Sequence, residues 1–288
     1  MTIEERIERA VGARPISLTR LSGGCVGDVR RATFASREPV VVKTGACNLD
    51  IEGAMLRLLH ERSELPVPLV VHAEPTLLAM EHVENDGTIS SRASEQEHAA
   101  SLLASLHAIV PPAPNESKYG LEFDTLIGGL AQPNGWMASW VEFFAERRLV
   151  HLANEAHRAG MLDRDMRTRV ERFARDRLAL LIREPAHPSL LHGDAWGGNI
   201  LVRGGRVAAF IDPAVYHGHA EVELAFGTLF GTFTQRFFDA YRDRRHIEDG
   251  FFEVRREVYN LFPLLVHARL FGGGYVAQID ATLRRFGG

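Results

Sequence analysis

Asp194, Asn199 and Asp212 are the residues whose types and spacing suit phosphoryl transfer. Asp194 and Asn199 lie in His192-Gly193-Asp194-Ala195-Trp196-Gly197-Gly198-Asn199 with four residues between them, and Asp212 follows Asn199 by thirteen. A carboxylate and an amide oxygen held together suit a hard cation such as Mg²⁺, which also takes phosphate oxygens of ATP. A second carboxylate one loop away is free to orient or deprotonate an acceptor hydroxyl. Loop Asp and Asn residues also make turns and caps, so the reading depends on the elements that position these three.

Apolar runs Ile200-Leu201-Val202 and Val207 to Ile211 flank Arg203-Gly204-Gly205-Arg206. A Gly-Gly pair between such runs predicts a tight hairpin, which returns Asp212 to the end where Asn199 sits. The same order of acid, amide and metal-binding acid occurs in the protein-kinase catalytic loop.

A phosphate cradle and its lysine would lie upstream. Ile16 to Leu21 and Val29 to Ala35 read as strands around Ser22-Gly23-Gly24-Cys25-Val26-Gly27-Asp28. Backbone N–H groups at Gly23 and Gly24 are candidates to meet phosphate, because no Cβ obstructs the approach. Val40-Val41-Val42-Lys43 predicts a buried strand ending on one charge, which is either ion-paired or a solvated strand end. A helix over Asp50 to Arg62 places Glu52 above Met55, Leu56 and Leu59, so it faces the core, where an unpaired carboxylate is costly. A Lys43–Glu52 ion pair is the stronger reading; support of the helix N-terminus is the other. Leu77 to Val83 is a further strand. Glu81 and Val83 at its end are placed, by position alone, where an adenine edge would meet the backbone. Glu84 to Ser91 is polar and predicts a hinge, dividing an N-lobe of residues 1–86 from a C-lobe of residues 87–288.

Beyond the hinge the pattern turns helical: Ser94 to Ile109, then about 137–158, 162–183, 219–243 and 248–270. Residues 115–135 read as a long ordered loop, with Trp136 and Trp140 as its anchors. His107, on an apolar helix, reads as a core histidine. Trp196 either stacks on an acceptor or packs under the loop.

The 288 residues, 45% hydrophobic and 24% charged, fit a globular chain of two lobes. A net charge of −4 argues against a general nucleic-acid binder, which would carry a basic patch. The sequence has no apolar run long enough for a membrane and no signal-peptide core at its start. Two cysteines, Cys25 and Cys47, are too few for a disulfide framework, so a reducing cytoplasm is the expected location. The 13 histidines lack zinc-site spacing.

Six stretches carry a more specific signal: LSGGCVGDVRRATF (21–34), VVVKTG (40–45), IGGLAQPNGWMASWVEFFAERRL (127–149), HPSLLHGDAWGGNIL (187–201), FIDPAVYHGHAEVELAF (210–226) and LFPLLVHARLFGGGYV (261–276). With them the chain resembles the fructosamine/ketosamine 3-kinase family, in the aminoglycoside-phosphotransferase-like branch of the protein-kinase-like fold. The resemblance implies an α+β architecture with a mainly antiparallel β N-lobe, a helical C-lobe and a catalytic β-hairpin. It implies ATP- and Mg²⁺-dependent phosphorylation of the sugar 3-hydroxyl of a fructosamine, ribulosamine or erythrulosamine, small or protein-bound. The 3-phosphate labilises the adduct, so the step is deglycating. By position, Asp194 would be the base, Asn199 and Asp212 the metal ligands, Lys43 the phosphate lysine and Glu52 its partner. Trp196 and His267 are the candidate acceptor contacts. The family also offers Cys25 as an oxidation-sensitive thiol able to pair between chains, the plain alternative being a small residue suited to a tight loop. A monomer or a homodimer is expected.

Three features depart from the family pattern. Ala195 stands where Leu is usual, Gly27-Asp28 where Asn-Glu is common, and Val266 and Arg269 where Asn is frequent. These are expected to bear on the acceptor more than on phosphate transfer. The rivals are a kinase of the same fold acting on an aminoglycoside, choline or homoserine, and a nucleotide-binding protein without turnover. The complete Lys, Asp and Asn set argues against the second.

Overall fold

The computed structural model describes residues 2–21, 27–45 and 48–288. Helix α1 (Ile3–Val11) opens on a capping box in which Thr2 and Glu5 satisfy each other's backbone N–H. Strands β1 (Ser17–Arg20), β2 (Asp28–Thr33) and β3 (Val40–Thr44) follow, then α2 (Leu49–Arg62), β4 (Val70–Glu74) and β5 (Leu77–Glu81). The five strands form one antiparallel sheet in the order β1-β2-β3-β5-β4. Side-chain alternation along β3 decides what faces what. Val40 and Val42 join Ile7, Ala32, Phe34, Leu77 and Ala79 in a small core under α1. Lys43 takes the opposite face, toward α2.

The predicted hinge is partly a strand. β6 (Gly87–Thr88) pairs with β10 (Ile200–Arg203) and is bracketed by backbone bonds from Asp86 to Val202 and from Ile89 to Ile200. The segment leaving the first sheet is thereby zipped onto the catalytic hairpin. Helix α3 (Ala93–Leu106) starts the helical part. Residues 115–135, read as loop, contain a small hairpin of β7 (Thr125–Ile127) and β8 (Leu130–Gln132). After it come α4 (Trp140–Phe143), a π-helical stretch over Phe144–Val150, α5 (His151–Arg158), α6 (Arg164–Asp176) and α7 (Leu178–Leu181).

Strand β9 (Ser189–Leu191) leads into the catalytic loop. The hairpin of β10 (Ile200–Arg203) and β11 (Arg206–Phe210) follows it, and β12 (Tyr216–Gly218) then pairs back with β9. Gly204 and Gly205 have φ of 58° and 77°, the left-handed pair a two-residue turn of this kind needs. The single helix expected over 219–243 is two, α8 (Ala220–Leu229) and α9 (Gln235–Arg242), because Gly231 turns left-handed between them. A second π-helical stretch, Phe251–Arg255, runs into α10 (Arg256–Phe271), and α11 (Gly274–Arg285) extends beyond the predicted end of the helices. The main core runs from α2 through α3 and α4 to α8 and α10, with Trp140, Phe143, Phe144, Tyr216 and Tyr259 fully buried. Among the described residues no helix is long and apolar enough to cross a membrane.

Candidate active site

The hairpin brings the acid–amide–acid set together. The Ile211 N–H donates to the Asn199 carbonyl at 3.0 Å, which fixes Asp212 beside Asn199. Asp212 itself has φ 53°, a left-handed conformation that Asp tolerates better than most side chains. Asn199 gives both amide hydrogens to Asp194, one to its carbonyl at 3.0 Å and one to its Oδ2 at 2.9 Å. The amide oxygen is therefore the end turned away from Asp194. Burial, followed by the charge of Asp212, pushes the Asp194 carboxyl well above the usual range.

Lys43 joins the first sheet to this set. Its ammonium donates to Glu52 Oε1 at 2.6 Å and also to Asp212 Oδ1. Burial alone would lower the Lys43 pKa, but the charges of Asp212 and Glu52 overcome it and leave it raised. Glu52 is pushed up by burial, with Lys43 opposing. Asp212 Oδ2 and Asn199 Oδ1 have no hydrogen-bond partner among the described residues. Both are hard oxygen donors of the kind Mg²⁺ takes, so these two side chains fit such an ion.

Behind the loop lies a carboxylate that sequence reasoning missed. Glu223 on α8 accepts from the Gly193 N–H at 2.6 Å, the His192 N–H at 3.2 Å and His107 Nε2 at 2.9 Å. A carboxylate only accepts, so His107 donates from Nε2, while its Nδ1 lies 2.8 Å from the Tyr241 hydroxyl. Burial raises the Glu223 pKa, but the bonds from His107 and Gly193 prevail and hold it below the usual range. Gly193 has φ 85°, and a Cβ there would stand 2.0 Å from the Ala214 carbonyl oxygen, so only glycine fits the His-Gly-Asp turn. The signal was available: Glu223 sits in the apolar Val-Glu-Leu-Ala-Phe run, where the reasoning applied to Glu52 holds equally.

The hairpin of residues 125–132 braces the segment after Asp212. Thr125 Oγ1 donates to the Val215 carbonyl at 3.2 Å and accepts from Gln132 and Asn134 at 2.8 and 2.7 Å, which uses the hydroxyl fully. Gln132 also reaches the Ala214 carbonyl at 3.0 Å. Arg148, buried in the first π-helical stretch, holds Asn134 Oδ1 at 2.7 Å and lies 4.0 Å over the Tyr216 ring. Burial pulls its pKa down to about 10.

The other predicted residues are placed as follows. Glu81 ends β5 with its side chain accepting from the Leu69 N–H at 3.3 Å, just before β4. The Val83 carbonyl accepts from Asn85, while its N–H finds no acceptor among the described residues. Trp196 is half-buried over Gly198 and meets Phe230, which in turn meets His267. Trp196 and His267 thus share one side of the loop, linked by a ring the sequence had not singled out. His107 is the core histidine expected, with a task. Gly23, Gly24 and Cys25 lie outside the described residues. Ala195 and Val266 are buried in the core, so these two departures alter packing and do not line an acceptor surface.

Comparison with known proteins agrees with this arrangement. The family model described as fructosamine kinase matches residues 1–286. A probable ketoamine kinase of Enterococcus faecium is 31% identical over 89% of this chain and 88% of its own length. A chloroplastic protein-ribulosamine 3-kinase of Oryza sativa is 30% identical over 93% of this chain and 79% of its own. The match to a probable ketoamine kinase of Synechocystis is higher, at 39%, but spans 64% of this chain and 59% of that protein. Among solved structures, a putative fructosamine-3-kinase of Thermobifida fusca superposes with a TM-score of 0.84 at 29% identity, covering 98% of this chain and 99% of that one. An aminoglycoside phosphotransferase in a ternary complex with ADP and hygromycin B, 17% identical, shares the fold at a TM-score of 0.69, each chain fully covered. The architecture is the two-lobed protein-kinase-like one, and the chain belongs to the fructosamine kinase family.

Proposed function

We propose that this protein uses ATP and Mg²⁺ to phosphorylate the 3-hydroxyl of a ketosamine, a deglycating step. The reading rests above all on one connected set: Asn199 bonded to the Asp194 carboxylate, and Asp212 bonded to the Lys43 that Glu52 also holds. Asp194 accepts the proton of the 3-hydroxyl as that oxygen bonds to the γ-phosphorus and ADP departs. Asn199 keeps the base in place through its two donated hydrogens. Its amide oxygen and Asp212 would hold the metal, which would supply positive charge to offset that of the transferring phosphoryl group. Lys43 serves the α/β-phosphates, with Glu52 keeping the ammonium in line. The Val83 backbone, at the end of β5 beside Glu81, meets the adenine edge, and Gly23 and Gly24 complete the phosphate cradle. Trp196 and His267 contact the acceptor. The boundary between lobes falls after Asp86, where the chain leaves the first sheet and joins β10.

The names of the bacterial relatives and of the rice ribulosamine 3-kinase support a ketosamine acceptor. ATP consumption with Mg²⁺ tests this against fructoselysine, ribuloselysine, erythruloselysine, kanamycin, choline and homoserine. Turnover on a ketosamine and none on the other three is the expected result. Turnover confined to kanamycin, choline or homoserine would keep the kinase and overturn the acceptor.

A further inference from the structure

Past Asp194 the loop opens onto contiguous rings. Trp196 meets Phe230 at 5.8 Å between centroids, and Phe230 lies 5.0 Å from His267. His267 lies 5.0 Å from Tyr275 and 5.7 Å from Phe271. The run leads from two residues beyond the base to the first turn of α11. Phe230 and Phe271 are 40% and 54% exposed, and contiguous exposed rings of this size mark binding surfaces. Met161, also exposed, approaches Gly272 beside Phe271. His267 places Nδ1 2.8 Å from the Pro263 carbonyl. A carbonyl only accepts, so Nδ1 carries the proton and Nε2 is left as an acceptor. Burial also holds this ring's pKa below that of a free histidine, so the strip carries no charge near neutral pH.

The chemistry of a ketosamine states what such a strip would meet. C1, which bears the amine, and C3, which bears the acceptor hydroxyl, flank the same carbon. With the 3-hydroxyl at Asp194, C1 and its amine lie to one side of the reacting carbon, and C4 with the rest of the sugar lies to the other. Resting on the ketosamine reading above, we propose that Phe230, His267, Phe271 and Tyr275 form a subsite for the amine substituent. It favours ketosamines of apolar or aromatic amines over those whose substituent carries a carboxylate. Ring faces attract the ammonium at C1, Nε2 of His267 accepts from it, and Phe230 and Phe271 cover the substituent. A carboxylate there would lose water without gaining a cation.

Three adducts of one sugar test this, made with methylamine, benzylamine and β-alanine, with kcat/KM measured for wild type and Phe271→Ala. The expected wild-type preference is about tenfold for the benzylamine adduct over the methylamine adduct, with the β-alanine adduct lowest. Phe271→Ala, at an exposed position, should bring the benzyl-to-methyl ratio toward one at an unchanged Tm. Met161→Arg, which adds a cation at the rim, should raise the β-alanine adduct relative to the benzylamine adduct. Equal kcat/KM for all three adducts, or a benzyl-to-methyl ratio untouched by Phe271→Ala, overturns the subsite alone. Turnover of none of the adducts, with another alcohol phosphorylated, overturns the ketosamine reading and the subsite with it.

Discussion

The two sides of the catalytic loop are built from opposite materials. On one, three charged groups meet: Lys43 binds Glu52 and Asp212 at once, and Asn199 locks onto Asp194. On the other, Trp196, Phe230, His267 and Tyr275 form a surface of rings without a formal charge. The difference teaches how work is divided. Phosphate transfer is a problem of charge and position, and it draws the same few residue types to fixed spacings. Acceptor choice is a problem of shape and desolvation, which many sets of apolar residues can solve.

Mutations on the charged side should therefore act on rate, and strongly. Asp194→Asn is expected to lower kcat by about a thousandfold or more while sparing the KM for ATP; near-normal turnover would remove Asp194 from the chemistry. Lys43→Met should lower kcat/KM by about a hundredfold. It should also destabilise the protein by about 3 kcal/mol, because Glu52 and Asp212 lose their shared cation. Urea denaturation read alongside the kinetics separates the two effects, and a variant normal in both would dissolve the proposed cluster.

Glu223→Gln probes whether the loop between the two sides needs its buried clamp. An amide cannot accept from His107, Gly193 and His192 as a carboxylate does. A stability loss of about 2 kcal/mol and a fall in kcat of about tenfold are expected. Unchanged kcat with lowered Tm would make Glu223 structural only.

A last effect, on stability alone, separates the charged cleft from neutral histidines just beyond Asp212. Burial lowers His217 to about 4 and His219 to about 3, against 6.5 for a free imidazole. Below 6.5 the unfolded chain therefore binds more protons than the folded one, and stability falls as pH falls toward the folded values. The slope approaches about 1.4 kcal/mol per pH unit for each residue. Urea midpoints at pH 7, 6 and 5 should decline accordingly, and His217→Asn should flatten the decline. A midpoint independent of pH over that range would contradict the burial of these rings.

What the sequence made legible follows the same division. The Gly204-Gly205 turn, the strand ending at Lys43 and the inward face of Glu52 were readable because each is a local pattern with one physical outcome. The Phe230 link between Trp196 and His267 was not, since it depends on where α8 and α10 pack, about forty residues apart in the chain. Strand β4 escaped because Pro66 and Pro68 hid a short edge strand behind turn signals. The hairpin inside residues 115–135 escaped because its strands are three residues each, too short to show a period. Glu223 was legible and overlooked: a carboxylate within an apolar helix asks for partners wherever it occurs.

The most direct test of the account is the position of the phosphate. Purified protein, ATP, Mg²⁺ and ¹³C-labelled ribuloselysine are followed by NMR until one phosphate has been transferred, with Asp194→Asn run in parallel. Carbon–phosphorus coupling at C3, seen with wild type and absent with the variant over the same time, is the predicted result. Phosphate on another carbon, or equal product from Asp194→Asn, would contradict it.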